Sequence, residues 1–355
     1  MADSPVRAVK DIQVWGHRGA SAFLPENTLA SFRAAIKEGA DAIESDVHVT
    51  SDGVILMFHD PTLDRTTNGS GTIKSQPNVR TTKEPVQPVP RFDQLIDLIM
   101  EPENKHVKLN NDPEGLFPEI ARILSKYENW EQELAPRIIL GLWHPLFIRP
   151  AYKYLPSCTR YHIGISPSIA RQYFWDACAG FSINFSMLVG SEGQKFIADC
   201  RAAGKEVCVW TVNDPNEMRT AMTWGVQAIL TDKVGLLTEL KKEVVEDPSK
   251  VDIPGLAAYW FPWSHWRYYA FTHPWLERTQ LDALRTNCYQ PGPLHKVDLE
   301  DLKPNGANGT PVANGSAENG HAVTAAAEQP AQPAYDGLEK ADTFGAHQPV
   351  AVAAA

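Results

Sequence analysis

The sequence predicts an α/β fold built on a parallel sheet, and three observations lead there. A strand-then-helix grammar repeats from about residue 11 to 245. Repetition of that unit calls for parallel strands, because each helical crossover returns the chain to start the next strand in the same direction. Eight such units in roughly 235 residues match the usual size of a (β/α)8 TIM barrel, although the same pattern allows a doubly wound open sheet. Beyond residue 250 the grammar ends. The expected organisation is a barrel-type domain over 11–245, an aromatic-rich segment over 250–300 and a disordered tail over 303–355. That tail is Asn, Gly, Ala, Pro and Gln, and it cannot bury enough apolar surface to offset its ordering entropy.

Each element has its own signal. The first strand runs from Ile12 to His17. A helix follows from Thr28 to Glu38, with Leu29, Phe32 and Ile36 on one stripe and Gly39 as its stop. The second strand is Ala42 to Val49. Thr50-Ser51-Asp52-Gly53 then turns the chain into an extra hairpin strand, Val54 to Phe58, which ends at His59. Residues 60–90 are polar and Pro-rich and read as a short inserted loop region over one end of the fold. A helix over 92–100 carries Phe92, Leu95, Ile96 and Ile99 on one face. Strands are expected at 106–109, 137–141, 161–165, 180–184, 206–211 and 228–231. The clearest helices between them are 192–203, closed by Gly204, and 215–224, closed by Gly225.

Composition excludes some classes. Lys and Arg number 33 against 43 Asp and Glu, a net charge of −10, which argues against a nucleic-acid partner and gives no bulk attraction to anionic lipid. The five cysteines, Cys158, Cys178, Cys200, Cys208 and Cys288, form no C-x-x-C pair and read as buried thiols of a reducing compartment. Met1 to Asp11 carries no apolar signal core, and no run reaches 18 apolar residues, so an intracellular location is expected.

The chemistry concentrates in Trp15-Gly16-His17-Arg18-Gly19, Pro25-Glu26-Asn27-Thr28, Glu44-Ser45-Asp46-Val47-His48 and His59-Asp60. His17 and His59 each end a strand, where barrel sites sit, and two histidines can divide general acid and general base work. Glu44, Asp46 and His48 share one face of the second strand, while Ile43, Val47 and Val49 share the other. In a sheet covered on both faces such an acidic row must be paired or bind metal, and hard carboxylate oxygens suit Ca²⁺ or Mg²⁺. Arg18 can clamp phosphate oxygens in a bidentate way or form a surface salt bridge. Asn27 or Thr28 can cap the first helix.

Taken in order, these runs resemble the signature of the glycerophosphodiester phosphodiesterase family: H-R-G, P-E-N-T, E-x-D-V, T-x-D-G and H-D. The resemblance favours the barrel over the open sheet. It implies His17 and His59 as the catalytic pair, Glu44 and Asp46 as ligands of a divalent cation, Arg18 on the phosphate, and P-E-N-T at the mouth of the site. It also implies that a hydroxyl beside the phosphodiester attacks phosphorus internally and that water opens the resulting cyclic phosphate. Val209-Trp210-Thr211-Val212-Asn213 resembles the seventh strand, with Trp210 lining the substrate cleft or packing in the barrel. Thr231-Asp232 resembles the last strand end, where a structural role is expected. One motif is missing. The family carries acid-x-Lys on the third barrel strand, and Glu103 to Glu114 contains none; the strand reads as short by about half a dozen residues. Asp112 then stands in for the acid and Lys108 for the phosphate contact, or two carboxylates hold the metal weakly.

Three further runs resemble the fungal phosphatidylglycerol-specific phospholipase C group: Leu140-Gly141-Leu142-Trp143-His144-Pro145, Arg171-Gln172-Tyr173-Phe174-Trp175-Asp176 and the Trp210 run. This implies a glycerophospholipid substrate, phosphatidylglycerol, cleaved to diacylglycerol and glycerol phosphate. It also implies peripheral association with an intracellular membrane of the endoplasmic reticulum, lipid droplet or mitochondrion. Residues 259–276, rich in Trp and Tyr around Arg267, are the candidate membrane contact, since such side chains favour the lipid interface; packing against the barrel is the other reading. The missing motif leaves open a lipid- or phosphodiester-binding barrel without turnover, and a soluble hydrolase of deacylated diesters.

Overall fold

Eight parallel strands close on themselves in the computed structural model, which describes residues 7–73, 79–112, 116–253, 272–286 and 293–302, with the backbone alone at 109–112 and 301. The strands are β1 (Gln13–His17), β2 (Ala42–Val49), β3 (Ile55–Met57), β4 (Lys108–Asp112), β5 (Ile138–Leu142), β6 (Thr159–Gly164), β7 (Gly180–Asn184), β8 (Glu206–Trp210) and β9 (Ala228–Thr231). All but β3 are parallel, and β1 pairs with both β2 and β9, which closes the sheet and resolves the open-sheet alternative. The hairpin strand β3 runs antiparallel on β2, with Val47 opposite Met57.

The helices fall where the apolar stripes place them. Leu29–Lys37 is capped by Thr28, whose hydroxyl accepts from the Ser31 amide. Phe92–Met100 buries Phe92, Leu95, Ile96 and Ile99 against the outside of the barrel. The third barrel strand departs from expectation. It is five residues long, as long as most of its neighbours, and occupies 108–112 instead of 106–109. A 3₁₀ turn over Pro102–Asn104 takes up the preceding residues, and the polar run Asn110-Asn111-Asp112 is strand because β2 and β5 supply its ladder partners. Tertiary pairing overrides a weak local propensity there.

The barrel's lower interior is filled by Trp15, Ala42, Ile139, Tyr161, Cys208, Ala228 and Leu230. Trp15 stacks on Tyr161 at 6.1 Å, and the Tyr161 hydroxyl donates to Glu206. Gly180 makes room for that ring, because a Cβ there would lie 2.6 Å from it. The plug leaves only the C-terminal end of the barrel open to a ligand. Beside it, residues 60–73 and 79–90 form a region of isolated bridges over a small cluster of Leu56, Phe58, Leu63, Ile73 and Val79.

The described part of the 250–300 segment packs on the domain. Helix His273–Thr286 buries Leu276 and Leu284, Leu294 and Val297 pack on the same core, and Lys296 pairs with Asp176 at 2.6 Å. Trp275 is exposed. Tyr259 to Phe271, the densest part of the expected membrane contact, and the tail from 303 lie outside the described residues. Among the described residues no helix is long and apolar enough to cross a membrane. Cys158, Cys178, Cys200 and Cys208 are free and buried, as expected; Cys288 is outside the described residues.

Candidate active site

The site grows from the turn after β1. Arg18 (φ 55°) and Gly19 (φ 86°) both take left-handed backbone, and a Cβ on Gly19 would sit 2.3 Å from the Ser31 hydroxyl. Only glycine allows the turn to lie this close on the helix Leu29–Lys37. The turn aims His17 into the barrel mouth and brings the Arg18 amide to both the backbone carbonyl of Glu44 (2.9 Å) and its carboxylate (3.2 Å).

His17 is one half of a His–Asp pair. Its Nδ1 is 2.6 Å from Asp232, which also accepts from the Ser21 hydroxyl at 2.8 Å and the Asn213 amide at 2.5 Å. That contact engages Nδ1 and leaves Nε2 for the cleft, 3.9 Å from Glu44. Burial alone would lower the His17 pKa, but the Asp232 bond and the Glu44 and Asp232 charges outweigh it and hold it raised. Burial pushes Asp232 the other way, yet its hydrogen bonds and the His17 charge hold it at about 2. Asp232 therefore orients a cleft histidine, a role beyond the structural one expected of the last strand end.

His59, at the end of the hairpin, repeats the arrangement nearer the surface. Its Nδ1 is 2.6 Å from Asp60, and the His48 Nε2 donates to its backbone carbonyl at 2.9 Å. Arg65 holds Asp60 and also grips Glu26 with two bonds, at 2.9 and 2.7 Å. Glu26 in turn accepts from Arg18 at 2.9 Å, and the Arg18 Nε lies 3.2 Å from Asp46. An ionic chain thus runs His59–Asp60–Arg65–Glu26–Arg18–Asp46. The P-E-N-T run divides its labour along it: Glu26 joins the chain, the Asn27 amide donates to Asp46 at 3.1 Å, and Thr28 caps the helix.

Glu44 and Asp46 face the cleft together. Burial first, and the Asp46 charge second, push Glu44 up to about 7, whereas Arg18, His59 and Asn27 outweigh burial and keep Asp46 low. Two desolvated carboxylates two residues apart on one strand are the donor set a hard divalent cation fits, and binding one would relieve their repulsion. Among the described residues no group of three or more His, Cys, Asp or Glu side chains is gathered for a metal. The sheet register sets Asp112 directly beside Asp46. It sets Lys108 beside Ala42, at the N-terminal edge of the barrel. Lys108 is therefore four residues below the level of Asp112 and does not line the cleft, contrary to its expected phosphate contact; the strand begins at Lys108, which puts the lysine at the closed end of the barrel.

The cleft has a volume of about 130 Å³ and is lined by His17, Arg18, Glu44, Asp46 and His59 on one flank, and by Trp143, Ile163, Ser182 and Trp210 on the other. Trp210 lines it and also packs on the barrel's lower core, edge-on to Trp143 at 5.8 Å. The Trp210 indole N–H is buried without a protein partner, and the buried Ser182 hydroxyl sits beside the Cys208 thiol. Asp60 and Arg65 were legible as a motif and a loop, but their pairing was not, because it depends on the inserted region folding back on Glu26. Trp143 and Ser182 carried no local signal.

Comparison with known proteins places this geometry. Over 246 residues the chain is 27% identical to a glycerophosphodiester phosphodiesterase of Caldanaerobacter subterraneus, covering 65% of this chain and 98% of that one. A shorter match, 56% identical over 57 residues, joins 16% of the chain to 17% of glycerophosphodiester phosphodiesterase 1 of Rattus norvegicus. The solved structure of an Oleispira antarctica phosphodiesterase in complex with sn-glycerol-3-phosphate shares the fold, with a TM-score of 0.54 and 23% identity over 65% of this chain and 96% of that one. The model of the glycerophosphoryl diester phosphodiesterase family matches residues 17–236, more than half of the chain, so the chain belongs to that family.

Proposed function

We propose that the chain hydrolyses a glycerophosphodiester with His17 and His59 dividing the proton transfers. The observation that carries this is the pair of His–Asp couples at the barrel mouth, each engaging Nδ1 and leaving Nε2 for a substrate. His59 takes the proton of the substrate hydroxyl beside the phosphodiester, so that this oxygen attacks phosphorus within the same molecule. His17, its imidazolium stabilised by Asp232, gives a proton to the departing alkoxide. The same residues in reversed roles open the cyclic phosphate with water. Arg18 donates to the phosphate oxygens, and the Glu26–Arg65 chain holds its guanidinium in place. Glu44 and Asp46 are the residues that would hold Ca²⁺ or Mg²⁺, with Asp112 beside them in the register; a bound cation would stabilise negative charge on the phosphate.

For the substrate we favour phosphatidylglycerol. The orphan Trp210 N–H suits a hydroxyl of a glycerol headgroup, which also supplies the attacking oxygen. Phe23 (67% exposed) and Leu146 (38%) stand on loops that leave strand ends at the mouth, apolar side chains suited to the surface of a lipid aggregate. The products would be diacylglycerol and glycerol phosphate. The decisive assay offers phosphatidylglycerol in mixed micelles and its deacylated headgroup diester, with Ca²⁺ or Mg²⁺. Turnover of the lipid, abolished in His17→Ala, supports the reading. Turnover of the soluble diester alone removes the lipid assignment, and binding without turnover leaves the barrel a phosphodiester-binding protein.

A further inference from the structure

The flank of the cleft that lacks titratable groups is held from outside. Trp143, Ile163 and Ser182 line it from β5, β6 and β7, and one helix, His273–Thr286, lies against the loops that follow these strands and is hydrogen-bonded to the one after β6. In the middle, Gln280 is 6% exposed, and its Oε1 accepts from the backbone amides of both Ile165 and Ser166 at 2.9 Å, directly after β6. Toward one end the Leu284 carbonyl lies near His144, the residue after Trp143, whose Nε2 makes no hydrogen bond among the described residues. At the other end His273 lies near the Ser186 carbonyl, after β7, and its Nε2 likewise makes no hydrogen bond among the described residues. The seat is built for this contact: Gly164 ends β6, and a Cβ there would lie 2.8 Å from the Gln280 amide nitrogen. Leu276 and Leu284 add apolar burial. The helix lies beyond residue 236, where the family match stops.

We infer that helix His273–Thr286 is a specificity-determining element of the active site, with Gln280 as its positioning residue. By fixing the loop after β6 and lying beside the loops after β5 and β7, it sets the apolar wall against the part of the diester that does not react. Without the Gln280 oxygen, two backbone amides lose their acceptor at the entrance to that wall, and the loops gain alternative conformations. The wall is then displaced while the histidines, on the opposite flank, keep their geometry. This inference rests on reading the cleft as a phosphodiesterase site.

The test compares wild type, Gln280→Ala and Gln280→Glu in the full chain. Gln280→Ala should raise KM for phosphatidylglycerol in mixed micelles roughly tenfold, the effect of an unpaired buried amide, with kcat within about twofold of wild type. Gln280→Glu keeps the accepting oxygens and should restore KM. Hydrogen exchange reads the same device without turnover: Gln280→Ala should speed exchange at 143–147, 164–169 and 184–188 and leave 17–22 and 59–67 unchanged. Unchanged exchange in those loops overturns the inference whatever the kinetics, as does an equal fall of kcat and kcat/KM. If wild type turns over none of the diesters, the functional reading fails, and the exchange pattern alone decides whether the helix fixes the wall.

Discussion

The two flanks of the barrel mouth are built on opposite rules. On the flank formed by β9, β1, β2 and β3, the charged side chains described are tied to one another: His17 to Asp232, His59 to Asp60, and Arg18 and Arg65 to Glu26. On the flank formed by β5 to β8, the lining is aromatic and aliphatic, and the Trp210 N–H there lacks a partner. Charge chemistry in a partly desolvated site needs groups that hold each other rigidly, because an unpaired ion there is costly and a mobile one stabilises little. Recognition of an apolar or polyol group needs shape and a few polar atoms left free. The first flank is therefore self-contained, and the second can borrow its rigidity from a helix outside the family match.

The sharpest way to break this division is to damage the charged flank and look for losses confined to chemistry. His17→Ala or His59→Ala should lower kcat by about a thousandfold or more. Asp232→Asn comes next, at roughly a hundredfold in kcat. It also carries a sign in pH. Asp232 outweighs burial to hold His17 raised, so removing its charge lets the His17 pKa fall. The alkaline limb of kcat/KM, which reports loss of the His17 proton, should then move to lower pH; a limb that stays put would remove His17 as the acid. The same raised pKa stabilises the fold while His17 is protonated and is lost as pH rises through it, so Asp232→Asn should cost more stability at pH 5 than at pH 9 in urea melts.

Glu44→Gln should cut turnover by about tenfold or more and weaken Ca²⁺ or Mg²⁺ binding in calorimetry, because it removes one of the two carboxylates proposed to hold the cation. It should nevertheless raise the melting temperature in a chelator. Glu44 is pushed up because burial and Asp46 penalise its charge, so above its unfolded pKa that charge opposes folding. A lower melting temperature would show that the pair is compensated by contacts of its own. Arg65→Ala follows, at about tenfold in kcat, because Arg65 is half exposed and acts through Asp60 and Glu26. Arg65→Lys keeps the charge but not the fork that grips Glu26, and should recover only part of the loss.

The charged flank was largely readable in the sequence because its parts are local. His17 with Arg18, Glu44 with Asp46, and His59 with Asp60 lie within one or two residues of each other, and strand ends in a barrel place them together. What joins them was not readable: Arg65 reaches Glu26 across 39 positions, and Asp232 reaches His17 across 215. The third barrel strand was misplaced for a related reason. Asn110-Asn111-Asp112 has turn-like chemistry, and only its pairing with β2 and β5 makes it strand, which carried Lys108 to the wrong end of the barrel for a phosphate contact. The wall flank was the least legible, since Trp143 and Ser182 are ordinary residues after and within their strands until eight strands close around one cleft.

The smallest expected effect sharpens the comparison from the wall side. Trp143 meets Trp210 edge-on at 5.8 Å and touches none of the histidines' partners named above. Such an aromatic pair contributes about 0.5–1.5 kcal/mol, and its loss corresponds to roughly a three- to tenfold change in an equilibrium. Trp143→Ala should therefore raise KM for a glycerophosphodiester about threefold and leave kcat unchanged, and Trp143→Phe should recover most of the difference by restoring a ring at the same edge. Combining Trp143→Ala with Gln280→Ala tests whether wall and helix are one device. Residues acting through a shared wall are not additive, so the double variant should show little more than the larger single effect. A product of the two single effects would mean that the helix positions something other than Trp143, and a fall in kcat in either would mean that the wall reaches across the cleft to the charges opposite.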